Sequence, residues 1–212
     1  MRGIAFIGGA GPEAARCRAL VEGADILVAA DSGLILAEQA GLRPDWIVGD
    51  MDSLDDLRRL EAYPPERILR CPRDKDLTDT ELALGLLWEK GCGETWLMGG
   101  GGGRLDHLFA LRSLFERCPR PQRWVTGTED IYCLNAQEQL ALKLQAGALL
   151  SIFPLGSGPW ELRSRGLKWP LEGLAWDRGF FGLSNVLLDA DCSLCAEAGH
   201  FLVILPQETP VP

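Results

Sequence analysis

The residues best suited to chemistry in this chain are acidic and lie close together. Asp50 and Asp52 flank Met51 directly after the apolar run Trp46-Ile47-Val48. Strand side chains alternate with period two, so a strand continuing through this stretch would aim both carboxylates to one side. Such a pair repels itself and is costly to desolvate, and a cation between the two removes that cost. Magnesium, a hard ion that takes oxygen ligands and usually arrives with substrate phosphates, is the expected cofactor. A second acidic cluster reads Asp74-Lys75-Asp76-Leu77-Thr78-Asp79-Thr80-Glu81. Thr78 and Glu81 have the spacing of a capping box, and Asp79 and Glu81 suit a helix N-terminus electrostatically. Asp74 and Asp76 precede the cap and are not needed for it. With Asp50 and Asp52 they complete an all-oxygen metal site, and Lys75 offers a positive charge to a phosphate.

A third group follows five consecutive glycines: Arg104, Asp106 and His107. Glycines permit close backbone approach to a phosphate or a planar ring, although a flexible loop is the plain reading of the glycines alone. The run lacks the Gly-Lys-Ser/Thr of a Walker loop and does not fit the dinucleotide pattern. Arg104 can meet a phosphate in fork geometry, and Asp106 can orient a hydroxyl or hold a metal. Asp31, in Ala30-Asp31-Ser32-Gly33, stands at the end of an apolar run, placed either to face the same cleft or to cap a helix. The earlier Gly8-Gly9-Ala10-Gly11 reads as a tight strand-to-helix turn.

The elements that must position these groups alternate. Strands are expected at 3–8, 25–30, 46–48, 67–69, 94–98 and 123–126. Helices are expected at 12–22, 33–40, 53–63 and 78–90, and from the glycine run through 117. This alternation predicts an α/β domain with a mainly parallel sheet, whose ligands bind beyond the carboxyl ends of the strands. After residue 127 short strands are expected at 130–134, 140–144, 149–153, 160–162, 187–188 and 201–205, the pattern of an all-β sandwich or barrel. The expected domains are therefore 1–127, α/β, and 128–212, a β-sandwich.

Composition narrows the function. A formal net charge of −9 argues against a general nucleic-acid binder, which shows a basic face, but leaves room for a nucleotide whose charge a metal offsets. The seven cysteines are scattered and odd in number. Residues 1–10 do not read as a signal peptide, and no apolar run approaches the ~20 residues that span a bilayer. A cytoplasmic protein with reduced thiols and no membrane partner is expected. Cys192 and Cys195 have C-x-x-C spacing, with His200 the nearest further zinc ligand, but read better as small core residues on a strand.

The ordered set Asp31-Ser32-Gly33, Pro44-Asp45-x-x-x-Gly49-Asp50-x-Asp52-Ser53, Lys75-Asp76-x-Thr78-Asp79 and Gly102-Gly103-Arg104-x-Asp106-His107 resembles the thiamine pyrophosphokinases. Gly166-Leu167-Lys168-Trp169-Pro170-Leu171 and Leu183-Ser184-Asn185 look like that family's C-terminal signatures. Met51 stands where an aromatic is common, and Ser32 where many members have glycine. The resemblance implies an ATP- and magnesium-binding N-terminal domain and a C-terminal sandwich for thiamine binding and dimerisation. It implies a homodimer with the active site between subunits, and diphosphate transfer from ATP to the thiamine hydroxyl with release of AMP. By residue chemistry and resemblance together, Asp50, Asp52 and Asp79 are metal ligands, with Asp76 a further candidate. Lys75 and Arg104 contact the polyphosphate, Thr78 lies with them in the substrate site, and Asp31 shapes the cleft. Asp106 orients or deprotonates the hydroxyl. Ser184 and Asn185 hydrogen-bond the aminopyrimidine, and Trp169 stacks on or walls the substrate unless it is a core aromatic. Two other readings are a nucleotide-sugar glycosyltransferase, which leaves the second acidic cluster without a job, and a non-catalytic nucleotide or thiamine sensor.

Overall fold

The computed structural model describes residues 1–207. Residues 208–212, the end of the expected second domain, lie outside the described residues. The chain divides into two compact units, Met1–Thr128 and Glu129–Pro212.

In the first unit, strands and helices alternate as β1 (Arg2–Phe6), α1 (Ala14–Val21), β2 (Ile26–Ala30), α2 (Gly33–Gln39), β3 (Trp46–Gly49), β4 (Ile68–Arg70), α3 (Asp79–Glu89), β5 (Glu94–Met98), α4 (Leu105–Leu114) and β6 (Arg123–Val125). The sheet order is β6-β5-β1-β2-β3-β4, with every pair parallel. Parallel strands need crossover connections, and the helices that supply them cover the faces. The central strands accordingly read as continuous apolar runs: Ile4, Ala5 and Phe6 of β1 are fully buried, as are Val28 and Ala29 of β2. The strand order reverses direction at β1 and β5. A crevice opens at such a switch point, beyond the carboxyl ends of the two strands.

One expected helix is different. Residues 53–63 form only a 3-10 segment, Leu57–Ala62, whose N-terminus is capped by Asp56 accepting from Arg58 N. Leu60 is its one buried residue, packed with Tyr63, Ile47 and Met51, so the segment lacks the apolar stripe that would hold a longer helix on the sheet.

The second unit contains β7 (Glu129–Leu134), β8 (Gln139–Lys143), β9 (Leu149–Leu155), β10 (Glu161–Arg165), β11 (Gly182–Val186), β12 (Asp191–Ala198) and β13 (His200–Pro206). They form two antiparallel groups, β11-β9-β13-β7 and β10-β12-β8. Leu150, Ile152, Phe201 and Val203 of the first group share one core with Leu162, Cys192, Leu194 and Ala196 of the second, so the unit is a sandwich. The strand expected at 187–188 lies instead at Gly182–Val186, and Leu187 makes only an isolated bridge to Leu167. β12 carries Cys192 and Cys195, which are expected on a strand although the expected ranges do not include it. Its alternation buries Cys192, Leu194 and Ala196 and turns Cys195 to the other face, as small core residues on a strand require.

Candidate active site

Three acidic side chains converge beyond the carboxyl ends of β2 and β3. Asp31 follows β2 in the left-handed region, with φ 46°, and its N–H donates to Val48 O at 2.9 Å. Asp50 follows β3. Asp79 is the first residue of α3, which is held by a complete capping box between Thr78 and Glu81. One carboxylate oxygen from each of Asp31, Asp50 and Asp79 lies within 4.8 Å of the others. Asp31 is 7% exposed, and its Oδ1 is buried without a hydrogen-bond partner. Burial pushes its carboxyl above the ordinary aspartate range; hydrogen bonds from Ser53 offset part of this, and the charges of Asp79 and Asp50 add to it.

Lys75 is the counter-charge. Its Nζ lies 3.1 Å from Asp79 Oδ1 and 3.6 Å from Asp50 Oδ2, and donates to Pro72 O at 3.1 Å. Asp79 Oδ1 is itself buried and receives no well-directed hydrogen bond, so its contact with Lys75 is electrostatic. Partial burial alone would lower the Lys75 ammonium, but Asp79 and Asp50 outweigh it and hold the pKa above the usual lysine value. Asp50 is held below the ordinary range, first by the Asp52 N–H and then by Lys75. Three carboxyl groups thus face one ammonium. A buried oxygen without a partner and an all-carboxylate donor set fit a hard divalent cation.

Asp52 does not join this group. The strand ends at Gly49 and the chain turns at Met51, φ 65°, whose side chain is buried with Ala29, Leu34 and Ile47. The positive φ at Gly49 and Met51 breaks the period-two continuation that would have aligned Asp50 with Asp52. Asp52 instead pairs with Arg73 Nε at 3.1 Å and accepts from Ser53 Oγ at 3.1 Å. Asp76 is exposed and lies outside the converging set, as does Asp74.

The glycine run is not a flexible loop in its first half. Gly99 N donates to Val125 O, Gly100 N to Gly8 O, and Gly101 and Ala10 exchange both backbone bonds. A Cβ at Gly99, φ 113°, would lie 2.2 Å from Ile7 O, so only glycine lets these two turns meet. Beyond them Arg104 and Asp106 form a two-point pair at 3.1 and 2.6 Å, with both side chains more than half exposed. Arg104 holds the Asp106 carboxyl below its ordinary range. A depressed pKa makes Asp106 a poor base while keeping it in the ionised form that can accept a hydrogen bond from a hydroxyl.

A cavity of about 510 Å³ lies beside these groups, and Asp31, Asp79 and Arg104 line it. It is lined by the Gly8-Gly9 turn, Asp31, Ser32, Thr78–Glu81, Gly102–Arg104 and the inner side of α4 as far as Arg117. Asp31 and Asp79 form its acidic wall. Arg104 and Arg117 supply cations, Arg117 paired with Glu81. Ser53 and Arg117 were missed as site residues. Ser53 was legible as part of the acidic motif, whereas Arg117 carries no motif signal.

In the second unit, Trp169 is half exposed with Lys168 Nζ 4.7 Å from its ring centre, so it is not a core aromatic. Asn185 is buried and its amide is committed elsewhere: Oδ1 accepts from Trp169 N and Val186 N, and Nδ2 donates to Trp169 O at 2.6 Å. That geometry makes Asn185 a clamp on the Trp169 backbone, leaving little capacity for an aminopyrimidine. Ser184 is exposed, with φ 53°.

The model of the thiamin pyrophosphokinase catalytic domain matches residues 17–124, just over half of the chain. The chain belongs to the thiamin pyrophosphokinase family. A thiamine pyrophosphokinase of Bacillus subtilis is 28% identical over 151 residues, covering 68% of this chain and 70% of the relative. The solved thiamin pyrophosphokinase of Geobacillus thermodenitrificans is similar with a TM-score of 0.76 and 25% identity, covering 99% of both chains. A solved thiamin pyrophosphokinase family protein of Enterococcus faecalis gives a TM-score of 0.75 at 26% identity, over 99% of this chain and 100% of the other. The part matched by the family model contains the carboxylate cluster, Lys75, and the Arg104–Asp106 pair.

Proposed function

We propose that this chain transfers a diphosphate from ATP to the hydroxyl of thiamine, giving thiamine diphosphate and AMP. The observation that carries the reading, beside family membership, is the convergence of Asp31, Asp50 and Asp79, two of which, Asp31 and Asp79, line a cavity that Arg104 and Arg117 also line. Asp31, Asp50 and Asp79 would hold magnesium. The bound ion would neutralise charge on the phosphoryl oxygens as the β-phosphorus is attacked. Asp52 is proposed to join them when nucleotide enters, because its present partner Arg73 is a largely exposed pair of small worth. Lys75 and Arg104 contact the polyphosphate, with Thr78 beside them. Asp106 receives the hydrogen bond of the acceptor hydroxyl and aims it. Trp169 and Ser184 face the thiamine ring system, with Asn185 fixing Trp169.

The remaining proposals concern context. All seven cysteines are free thiols, which supports a reducing, cytoplasmic setting. Among the described residues no helix is long and apolar enough to cross a membrane. The exposed Phe180, Phe181, Leu183 and Leu188 support a homodimer.

The test is an endpoint assay with protein, ATP, magnesium and thiamine. AMP and thiamine diphosphate should appear in equal amounts. ADP with thiamine monophosphate would refute diphosphate transfer. Tight ligand binding with no AMP would favour the sensor, and sugar-nucleotide turnover without thiamine would favour the glycosyltransferase.

A further inference from the structure

Gly49 sits at the centre of the carboxylate cluster without contributing a side chain. Its φ is 143°, a conformation that L side chains rarely adopt. A Cβ built there would stand 3.2 Å from Asp31 Cβ, 3.2 Å from Asp79 Cγ and 3.2 Å from Asp79 Oδ1. These contacts are tighter than ordinary van der Waals separation, so the acidic side chains would have to yield by a few tenths of an ångström. Neither has much freedom to do so. Asp31 is tied by its N–H to Val48 O, and its carbonyl accepts from Leu34 N at 3.0 Å. Asp79 is fixed by the capping box at the start of α3. Gly49 is itself anchored, its carbonyl accepting from Cys71 N at 3.0 Å.

We infer that Gly49 is a specificity-determining residue: the missing side chain sets the spacing of Asp31, Asp50 and Asp79, and so selects a small divalent ion over a large one. This rests on the proposed metal role of the three carboxylates. Mg²⁺ demands near-ideal geometry with bonds of about 2.0–2.1 Å, whereas Ca²⁺ accepts irregular sites at about 2.3–2.6 Å. Driving Asp31 and Asp79 outward therefore penalises the smaller ion more.

The experiment titrates Mg²⁺ and Ca²⁺ separately, without nucleotide or thiamine, into the wild-type chain, Gly49→Ala and Gly41→Ala. Binding is read by calorimetry and by the ion-induced rise in unfolding temperature. Gly41 also has positive φ, 71°, but an added Cβ there meets nothing within 4 Å, so that variant carries backbone strain alone. Gly49→Ala should lose roughly tenfold in Mg²⁺ affinity and much less in Ca²⁺ affinity. Gly41→Ala should unfold at a lower temperature with unchanged ion affinities. Equal losses for both ions in Gly49→Ala, or no loss, would overturn the inference and leave the metal reading standing. A wild-type chain that binds no Mg²⁺ would overturn both. Should Gly49→Ala fold poorly, the crowding is read from a double-mutant cycle with Asp79→Ala, which removes the contacted Cγ and Oδ1. Gly49→Ala should lower the unfolding temperature less in that background; an equal cost in both backgrounds would overturn the steric account.

Discussion

Asp106 and Asp31 are chemically the same residue in opposite surroundings, which suits them to the different roles proposed for them. Asp106 is exposed and paired with Arg104, which keeps it ionised and weakly basic. Asp31 is buried among like charges, which makes its ionised form costly until a cation arrives. Asp106→Asn keeps an acceptor oxygen but loses the charge and half of the Arg104 fork. It should lower kcat by roughly tenfold to a hundredfold, with a small change in KM for ATP, because aiming a nucleophile acts on turnover. Steady-state kinetics with each substrate varied checks this. A larger change in ATP KM than in kcat would move Asp106 into nucleotide binding.

At the scale of elements, α3 connects sequence to site most directly. Its capping box is readable from Thr78 and Glu81 alone, and the structure realises it: Thr78 Oγ1 accepts from Glu81 N, while Glu81 Oε2 accepts from Thr78 N at 2.8 Å. The box also holds Asp79 at the first helical position, where its carboxylate reaches the cluster. Thr78→Ala should cost about 1 kcal/mol, a fall of about 2–4 °C in unfolding temperature for a chain of this size. The magnesium-induced rise should shrink as well, since a frayed first turn loosens Asp79. Thermal unfolding with and without Mg²⁺ measures both. The segment Leu57–Ala62 shows the contrary case. A helix is expected over 53–63, but a single buried leucine leaves only a 3-10 turn.

For the whole molecule, each of the two compact units has its own core. The second unit leaves Trp169, Phe180, Phe181 and Leu183 about half exposed or more. A monomer rarely leaves so much large apolar surface in one unit. Sedimentation should therefore give twice the chain mass at micromolar concentration, and Phe181→Asp should shift the species toward the monomer. A monomeric wild-type chain would remove the dimer from the proposal.

The sequence alone determined the fold class and the order of most elements, because periodicity, caps and glycine punctuation are local properties of the chain. It could name Asp50, Asp79, Lys75, Arg104 and Asp106 from residue type and spacing. Tertiary structure decided which of the acids meet. Asp31 enters the cluster because parallel pairing places the end of β2 beside β3, a contact between residues 18 positions apart that no local pattern encodes. Asp52 leaves the cluster because the chain turns at Met51, whose side chain packs against Ala29, Leu34 and Ile47. Asn185 is spent on the backbone of Trp169, and a side chain at Gly49 would crowd Asp31 and Asp79, which come from other elements. In each case the deciding force is packing between distant segments, and that exists only once the chain has folded.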